Sequence, residues 1–308
     1  MPNNTELLIN TLPDFSFKRT VLSHGWYQLL PLEFDRAKWT LVCVIDVSEK
    51  QSPVSVRISR VEEDDDNVDD NSLLVHIPQR NLSQQAQHKI NGDVRHMFRL
   101  DDDLSPFYEA MATDEEFAWI AQKRAGRLLR STTVYEDLVK TICTTNCSWA
   151  FTEKMVAGLV HNLGREAKDK RRAFPTPAAM ADAPLDFYTN DVRAGYRAAY
   201  LKELAERVAS GALDVEAWLT SELPTAELKR EMKQVKGVGD YAAENLLKLV
   251  GRYDVLALDS WVRATFKRTR NNNRTATDKK IARFYSRFDT WRGLALWCDI
   301  TRDWLKDE

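Results

Sequence analysis

Residues Glu227–Arg263 read ELKREMKQVKGVGDYAAENLLKLVGRYDVLALDSWVR, and this stretch decides the fold of the C-terminal part of the chain. A helix is predicted up to the Gly-Val-Gly turn at 237–239, and strong helix formers begin again at Asp240. The two glycines of the turn can adopt backbone conformations that are closed to residues with a Cβ, and Val238 between them would fill the gap between the helices. The stretch therefore predicts a tight hairpin of two helices.

The turn of this hairpin is a candidate anion site. Its amides and those of the first turn of the second helix are predicted to point outward at the positive end of the helix dipole, where an anion is stabilised. Because Lys233 and Lys236 lie beside the turn, a DNA phosphate is a natural anion, although a bare Gly-x-Gly between helices is equally typical of a plain helical hairpin. The residues predicted to contact DNA here are Gly237, Val238, Gly239, Tyr241 and Ala242.

Carbonyl groups at the end of the first helix are candidate ligands for a monovalent cation. The oxygens concerned are those of Lys233, Val235 and Val238. No cofactor is expected to be required. The four cysteines of the chain have no Cys/His cluster around them, which argues against a structural metal or an iron–sulfur cluster and favours reduced thiols in a cytoplasmic protein.

Asp259 begins the helix that follows the hairpin. An apolar run at 256–258 leads into it, and residues 260–263 continue as a helix. An Asp at a helix start is most often an N-cap, so a structural role is the ordinary interpretation of this residue alone.

The composition, with 44% hydrophobic and 29% charged residues among 308, is that of a soluble globular protein. The absence of a run of about 18 apolar residues argues against a membrane span, and the N-terminus lacks the basic start and apolar core of an export signal. The net charge of −2 is uneven, because residues 1–110 hold 11 basic and 18 acidic side chains and residues 111–308 hold 33 and 28. The C-terminal part could therefore face phosphates.

The first hundred residues are predicted to form strands. Residues 41–47 are a β-branched run, residues 54–61 alternate apolar and polar side chains, and residues 73–77 are a third apolar run. The segment 62–70 carries seven acidic residues and is predicted to be a solvated hairpin tip. The predicted fold class is α+β, with an antiparallel β-sheet domain over 1–105 and an all-α domain over 106–308. The helices predicted in the second domain beyond residue 130 are 134–145, 149–163, 177–182, 198–210, 214–220, 225–235, 240–250, 259–269, 277–287 and 291–304.

The hairpin and its surroundings resemble the helix-hairpin-helix (HhH-GPD) superfamily of base-excision DNA glycosylases. In this family a Gly-Val-Gly hairpin is followed by an apolar helix and, about twenty residues after the last glycine, by a catalytic Asp, and Gly239 and Asp259 are twenty residues apart. The resemblance to the 8-oxoguanine and 3-methyladenine branches extends from about residue 15 to residue 304. The other segments that carry it are Ser23–Trp26, Thr141–Asn146, Phe174–Pro177, Gly195–Ala198 and Arg292–Ala295.

The resemblance implies an enzyme that flips a base out of the duplex and passes through an oxocarbenium-like sugar. Asp259 would be the carboxylate that stabilises the developing positive charge. Asn146 would fill the space left by the base, Tyr196 would wedge between bases, and Arg197 would reach the orphan base or a phosphate. A helix cap for Asn146 and core packing for Tyr196 are the structural alternatives.

Tyr241 decides the mechanism within this resemblance. Bifunctional members carry a Lys two positions after the last glycine of the hairpin, and a phenol cannot form a Schiff base. Lys248 is expected on another face of the same helix. The sequence therefore predicts a monofunctional glycosylase that leaves an intact abasic site, and a lyase that uses another lysine is the alternative.

Aromatic residues near the pocket positions of the family indicate the class of base. A cationic alkylated purine gains from stacking on electron-rich rings, which favours an alkylated base. Leu296 aligns with the base-reading Gln of the 8-oxoguanine enzymes, which argues against that lesion, while core packing is the better explanation of any single tryptophan. The residues predicted to line the pocket are Gly25, Trp26, Trp149, Trp261 and Trp297.

The expected partner is double-stranded DNA that contains a damaged base. We expect a monomer of the cytoplasm or nucleoid, or of the nucleus in a eukaryote, with no membrane association. A non-catalytic module that uses the hairpin to grip phosphate is the other function class that stays open. The glycosylase requires the carboxylate of Asp259 to face a sugar-sized cavity, and the binding module does not.

Overall fold

The computed structural model describes residues 5–61, 72–79 and 82–305. Its N-terminal part is an antiparallel sheet with the strand order β1-β5-β4-β3-β2. The three predicted strands are present, with Cys43 opposite Val56 and Ile58 opposite Val75. The acidic hairpin tip predicted at 62–70 lies outside the described residues. The strands are β1 Thr5–Asn10, β2 Glu33–Asp35, β3 Thr40–Ile45, β4 Val54–Arg60 and β5 Ser72–Ile77.

The prediction that the first hundred residues are strands is wrong for residues 84–98, which form a long helix. The side chain of Ser83 caps its start by accepting a hydrogen bond from a backbone amide. Ile90, Val94 and Met97 lie on its buried face, with the spacing of three and four residues that a helix requires. The polar residues between them hid this period from the sequence interpretation.

The remainder of the described chain is helical, as predicted. The predicted helices between 134 and 300 are confirmed, with ends that differ by a few residues. The segment predicted as a helix over 214–220 is a 3-10 turn, and the predicted helix 291–304 ends at Ile300. The helices are α1 Phe17–Val21, α2 Gln84–Phe98, α3 Ser105–Ala112, α4 Ala118–Gln122, α5 Val134–Thr144, α6 Trp149–Leu163, α7 Pro177–Asp182, α8 Arg197–Ala209, α9 Thr225–Met232, α10 Asp240–Leu249, α11 Ser260–Arg270, α12 Asp278–Tyr285 and α13 Arg292–Ile300. None of these helices has the length and apolar character needed to cross a membrane.

The sheet and the helices share one continuous hydrophobic core, which joins residues from both predicted domains. A short hairpin at 165–172, closed by a bridge between Glu166 and Arg172, also reaches the sheet. Arg165 donates a hydrogen bond to Asp46 at 2.6 Å, and the Ser55 hydroxyl donates to a carboxylate oxygen in the hairpin at 2.8 Å. The N-terminal residues are therefore fixed against the helical part by both apolar and polar contacts.

A buried hydrogen bond also joins the N-terminal residues to α5. The indole nitrogen of Trp26 donates to Asp137 Oδ1 at 2.6 Å, and the amide of Ser131 donates to the same oxygen at 2.9 Å. Burial raises the pKa of Asp137 to about 6, even though the hydrogen bonds from Ser131 and Trp26 oppose the rise. The folded protein therefore binds the proton of Asp137 more tightly than the unfolded chain does.

We predict that Asp137→Asn removes a pH dependence of stability. Because the folded-state pKa exceeds the unfolded value, the contribution of Asp137 to stability is complete below about pH 4 and is lost as the pH rises through about 6. The variant lacks this loss, so its free energy of unfolding relative to wild type should improve by about 3 kcal/mol between pH 4 and pH 7. Urea denaturation across this range measures the difference. The exposed Asp186→Asn variant is the control, and a difference for Asp137→Asn that stays constant with pH would contradict the assignment.

Candidate active site

The predicted helical hairpin is formed by α9, the turn at 237–239 and α10. Gly237 has φ +89°, a left-handed conformation that disfavours any other residue, and a Cβ there would lie 3.0 Å from the Tyr200 ring. Val238 is buried, as expected for a side chain that fills the gap between helices. Open space faces the position that a Cβ of Gly239 would take. The turn therefore presents bare backbone next to the start of α10.

Acidic side chains pair with the lysines beside this turn. Lys233 lies 2.9 Å from Asp240, and Lys236 lies 2.6 Å from Glu203. Lys229 lies 3.0 Å from the same Asp240 oxygen. Since these charges are already paired, the backbone amides and the dipole of α10 are the main attraction that the turn can offer an anion.

The carbonyls predicted to hold a monovalent cation lie at the same turn. The Val235 oxygen accepts a hydrogen bond from the amide of Val238 at 3.0 Å, so a cation would share that oxygen. The cation site with Lys233, Val235 and Val238 stays a prediction.

A groove of about 460 Å³ runs from the hairpin to the turn between α5 and α6. Asn146 lies in that turn with φ +47° and is exposed. Its Nδ2 donates to the Tyr196 hydroxyl at 3.2 Å, and the Tyr196 side chain is 51% exposed. Tyr196 does not pack in the core, so that alternative is wrong. Asn146 follows the C-cap Thr145 of α5 in the left-handed conformation common just after a helix end, so it can help to end the helix and still present an exposed side chain. The structure thus brings both side chains together on the face that carries the hairpin.

Arg197 does not reach this surface, contrary to the prediction that it contacts an orphan base or a phosphate. It is only 3% exposed, and its guanidinium donates to the carbonyl and the hydroxyl of Thr145. Its guanidinium carbon also lies 4.5 Å from the centre of the Tyr196 ring. Arg197 therefore supports Tyr196 and the turn that carries Asn146, a role that depends on tertiary neighbours that the sequence does not display.

Asp259 lines a larger cleft of about 880 Å³. It also serves as the N-cap of α11, because its Oδ1 accepts a hydrogen bond from the Val262 amide at 2.6 Å. Asp259 therefore caps α11 and also lines the cleft, so the helix-cap interpretation and the functional interpretation are compatible. The phenol of Tyr241 faces this carboxylate, and its pKa is raised by burial and by the charge of Asp259. The cap fixes the orientation of the carboxylate at the edge of the cleft.

The five residues predicted to form a base pocket all line this cleft. Gly25 lies so close to the Trp149 ring that any side chain there would displace the ring. The rings of Trp261 and Trp297 are 6.1 Å apart, and Trp304, which the sequence interpretation did not select, lies 5.5 Å from Trp261. The sequence offered no spacing that would single out Trp304 so close to the end of the chain.

The position on α13 that faces the cleft is Trp297, and the prediction that Leu296 occupies the base-reading position is therefore wrong. Leu296 is fully buried in the core, whereas Trp297 lines the cleft and donates from its indole nitrogen to the Ser23 carbonyl at 2.9 Å. A shift of one residue along a helix turns a side chain by about 100°, which is enough to exchange core for cleft.

Lys248 was predicted to lie on another face of α10 from Tyr241, and this prediction is also wrong. Both residues line the same cleft, because seven residues make nearly two full turns of helix. Lys248 is 3% exposed, and its Nζ lies 4.3 Å from the centre of the Trp297 ring. Burial lowers the pKa of Lys248 to about 8, while Glu244, Asp259 and Cys298 act in the opposite direction. The cleft therefore holds the amine of Lys248 in the same space as the carboxylate of Asp259.

Residues 139–288 match the model of the HhH-GPD superfamily base excision DNA repair proteins. This segment is an HhH-GPD domain. It contains the groove, the hairpin and Asp259, and residues before and after it complete the cleft with Trp26 and Trp297. A search of curated proteins finds no match.

Solved DNA glycosylase structures share the fold of this chain over nearly its whole length. A structure of MBOgg1 with a low-affinity DNA ligand is 21% identical, covers 97% of this chain and 96% of its own, and has a TM-score of 0.73. The 3-methyladenine DNA glycosylase of Archaeoglobus fulgidus is 19% identical, covers 97% and 98%, and has a TM-score of 0.71. The 8-oxoguanine glycosylase/lyase of Clostridium acetobutylicum is 18% identical, covers 95% and 94%, and has a TM-score of 0.70.

We predict that Gly239→Val weakens the binding of all DNA sequences alike. The added side chain would fill the open space in front of the hairpin amides, where a phosphate would lie, and a phosphate contact carries no sequence information. Fluorescence anisotropy with several unrelated duplexes measures the change, and the affinity of the wild type should fall as salt rises. Gly92→Ala, which also meets open space but lies in α2, is the control. Weakening that depended on sequence would contradict the phosphate role.

Proposed function

We propose that this HhH-GPD protein is a monofunctional DNA glycosylase of base excision repair, which flips a damaged base into the cleft and hydrolyses its N-glycosidic bond. The observation that carries the proposal is the position of Asp259, a carboxylate oriented by a helix cap at the edge of an aromatic cleft. The hairpin at the start of α10, beside Tyr241, would supply a backbone anion site for the DNA strand. A binding module without catalysis would need neither the carboxylate nor the cleft.

The chemistry proposed for Asp259 is electrostatic. Loss of the base leaves positive charge on the sugar, and a fixed carboxylate next to that sugar stabilises the charge as it develops. The same carboxylate can help water to attack. Because Val262 holds one oxygen in place, the group would need little reorganisation during the reaction.

The groove supports the extrusion step. Asn146 and Tyr196 project from one exposed surface beside the hairpin, and their side chains contact each other. An amide can occupy the space that the base leaves, and an aromatic ring can wedge into the opened stack. Arg197 would act through Tyr196 as a positioning residue.

The aromatic walls of the cleft favour a purine with an added alkyl group as the base. The rings of Trp26, Trp149, Trp261 and Trp297 offer large stacking surfaces in a cleft that is roomy enough for a purine. The extruded base would lose its hydration there and stack against the aromatic rings.

Asp259→Asn should abolish base release while DNA binding stays nearly unchanged. The amide keeps the size of the side chain but removes the negative charge that the sugar cation requires, and the single-turnover rate should fall by about 100-fold or more. Alkali cleavage of abasic sites after incubation with duplexes that carry damaged bases measures the rate. Asp278→Asn, at the start of the neighbouring helix α12, is the matched control. A variant at position 259 with the wild-type rate would show that the role is wrongly assigned.

No covalent intermediate should be trapped by borohydride during the wild-type reaction. Tyr241 faces Asp259 and has no amine with which to form a Schiff base. Tyr241→Lys would place an amine beside the carboxylate and should yield a trapped protein–DNA adduct on a denaturing gel. A wild-type adduct that disappears in a Lys248→Met variant would instead establish a lyase that acts through Lys248.

A further inference from the structure

Lys248 is a buried cation in the proposed base cleft without an acid partner of its own. The side chain is 3% exposed and lines the cleft. Within residues 5–61, 72–79 and 82–305, its Nζ forms no ion pair or hydrogen bond, and its contact is with the face of Trp297. A buried ammonium normally has hydrogen-bond acceptors around it. One is therefore expected from whatever fills the cleft.

The groups around Lys248 leave its donors available. Glu244, on the same helix, is engaged at its two oxygens by Lys229 at 2.5 Å and by the Ala257 amide at 2.8 Å. Asp259 and Cys298 lie near enough to act on Lys248 through their charges. His24, on the N-terminal side, directs its Nε2 to the Leu129 carbonyl at 2.6 Å.

Two other buried polar atoms belong to residues that line the cleft and have no partner in the described structure. They are the indole nitrogen of Trp149 and the hydroxyl of Thr141. An indole N–H can only donate. The ammonium of Lys248 can likewise only donate, so at least two groups that line the cleft can donate to an acceptor placed there.

Lys248 lies further along α10 than the residue that faces Asp259. Tyr241, at the start of the helix, faces Asp259. Lys248 lies seven residues further on, which is about 10 Å along the helix axis. If Asp259 lies at the sugar, that distance reaches the far part of an extruded purine.

We propose that Lys248 selects the extruded base by charge. Its ammonium donates a hydrogen bond to an uncharged damaged purine that presents a carbonyl oxygen or ring nitrogen, and it repels a purine that alkylation has made permanently cationic. This inference rests on the proposed glycosylase function. It replaces the cationic alkylated purine expected from the tryptophans with an uncharged damaged purine, because the face of Trp297 that would attract a cationic ring already holds the ammonium of the protein.

The test compares base release from four duplexes by the wild type, Lys248→Met and Asp259→Asn. Two duplexes carry the uncharged purines hypoxanthine and 1,N6-ethenoadenine, and two carry the cationic purines 7-methylguanine and 3-methyladenine. We expect the wild type to prefer the uncharged pair. Lys248→Met should lower the ratio of uncharged to cationic release by about tenfold or more, because it removes a charged donor. Lys154→Met, an exposed lysine on α6, is the matched control.

A second arm needs no substitution and therefore does not depend on how Lys248→Met folds. Since the pKa of Lys248 is about 8, wild-type release of the uncharged purines should fall between pH 7 and pH 9.5, relative to release of the cationic purines. If base release depends on Asp259 but the base preference is unchanged by Lys248→Met and by pH, this inference is wrong and the proposed function stands. Release of none of the four bases would overturn the proposed function, and the inference with it.

Discussion

Helix α10 is held at both of its ends, and the candidate site depends on that. Its first turn is fixed by the hairpin. At the other end, Arg99 donates to the Lys248 carbonyl at 3.1 Å and Arg130 donates to the Leu249 carbonyl at 2.6 Å. The last carbonyls of a helix lack partners within the helix and form the negative end of its dipole, so two buried guanidinium groups both satisfy and stabilise them. The side chains of Tyr241 and Lys248 are therefore held on the side of α10 that faces the cleft.

The two arginines are themselves balanced by a single carboxylate. Asp102 forms ion pairs with both Arg99 and Arg130. A buried cation without such a partner would be costly, so the Asp is part of the support of the helix. Arg99 ends α2 in a left-handed conformation. Part of the support of α10, from Arg99 and Asp102, therefore comes from residues 1–105, which were predicted to be a separate sheet domain.

The sequence predicted those features of the site that rest on local patterns. Glycine spacing indicated the hairpin, and the distance from Gly239 indicated Asp259. The sequence also contains the information that Lys248 shares a helix face with Tyr241, because seven residues return to nearly the same side of a helix. The burial of Arg197 could not be predicted, because its partner is the backbone of Thr145, about fifty residues away in the chain.

The same distinction between local patterns and tertiary contacts explains which parts of the fold could be predicted. Strands with regular alternation were found, and helices with clear breaks were placed within a few residues. Helix α2 was not predicted, because most of its surface is polar and only a narrow stripe with Ile90 and Val94 is buried. The 3-10 turn that carries Gly25 and Trp26 was chosen by resemblance and not by any periodicity, because a turn of four residues has none.

The close approach of Gly25 to Trp149 has a consequence for how the protein acquires its cleft. The two residues are more than a hundred positions apart, and Trp297 lies nearly another hundred and fifty beyond. Bringing such distant segments together costs chain entropy that grows with the length of the enclosed loop, whereas the hairpin closes within a few residues. The cleft therefore exists only once segments from both ends of the described chain have assembled, whereas the hairpin is built from residues that are neighbours in the sequence.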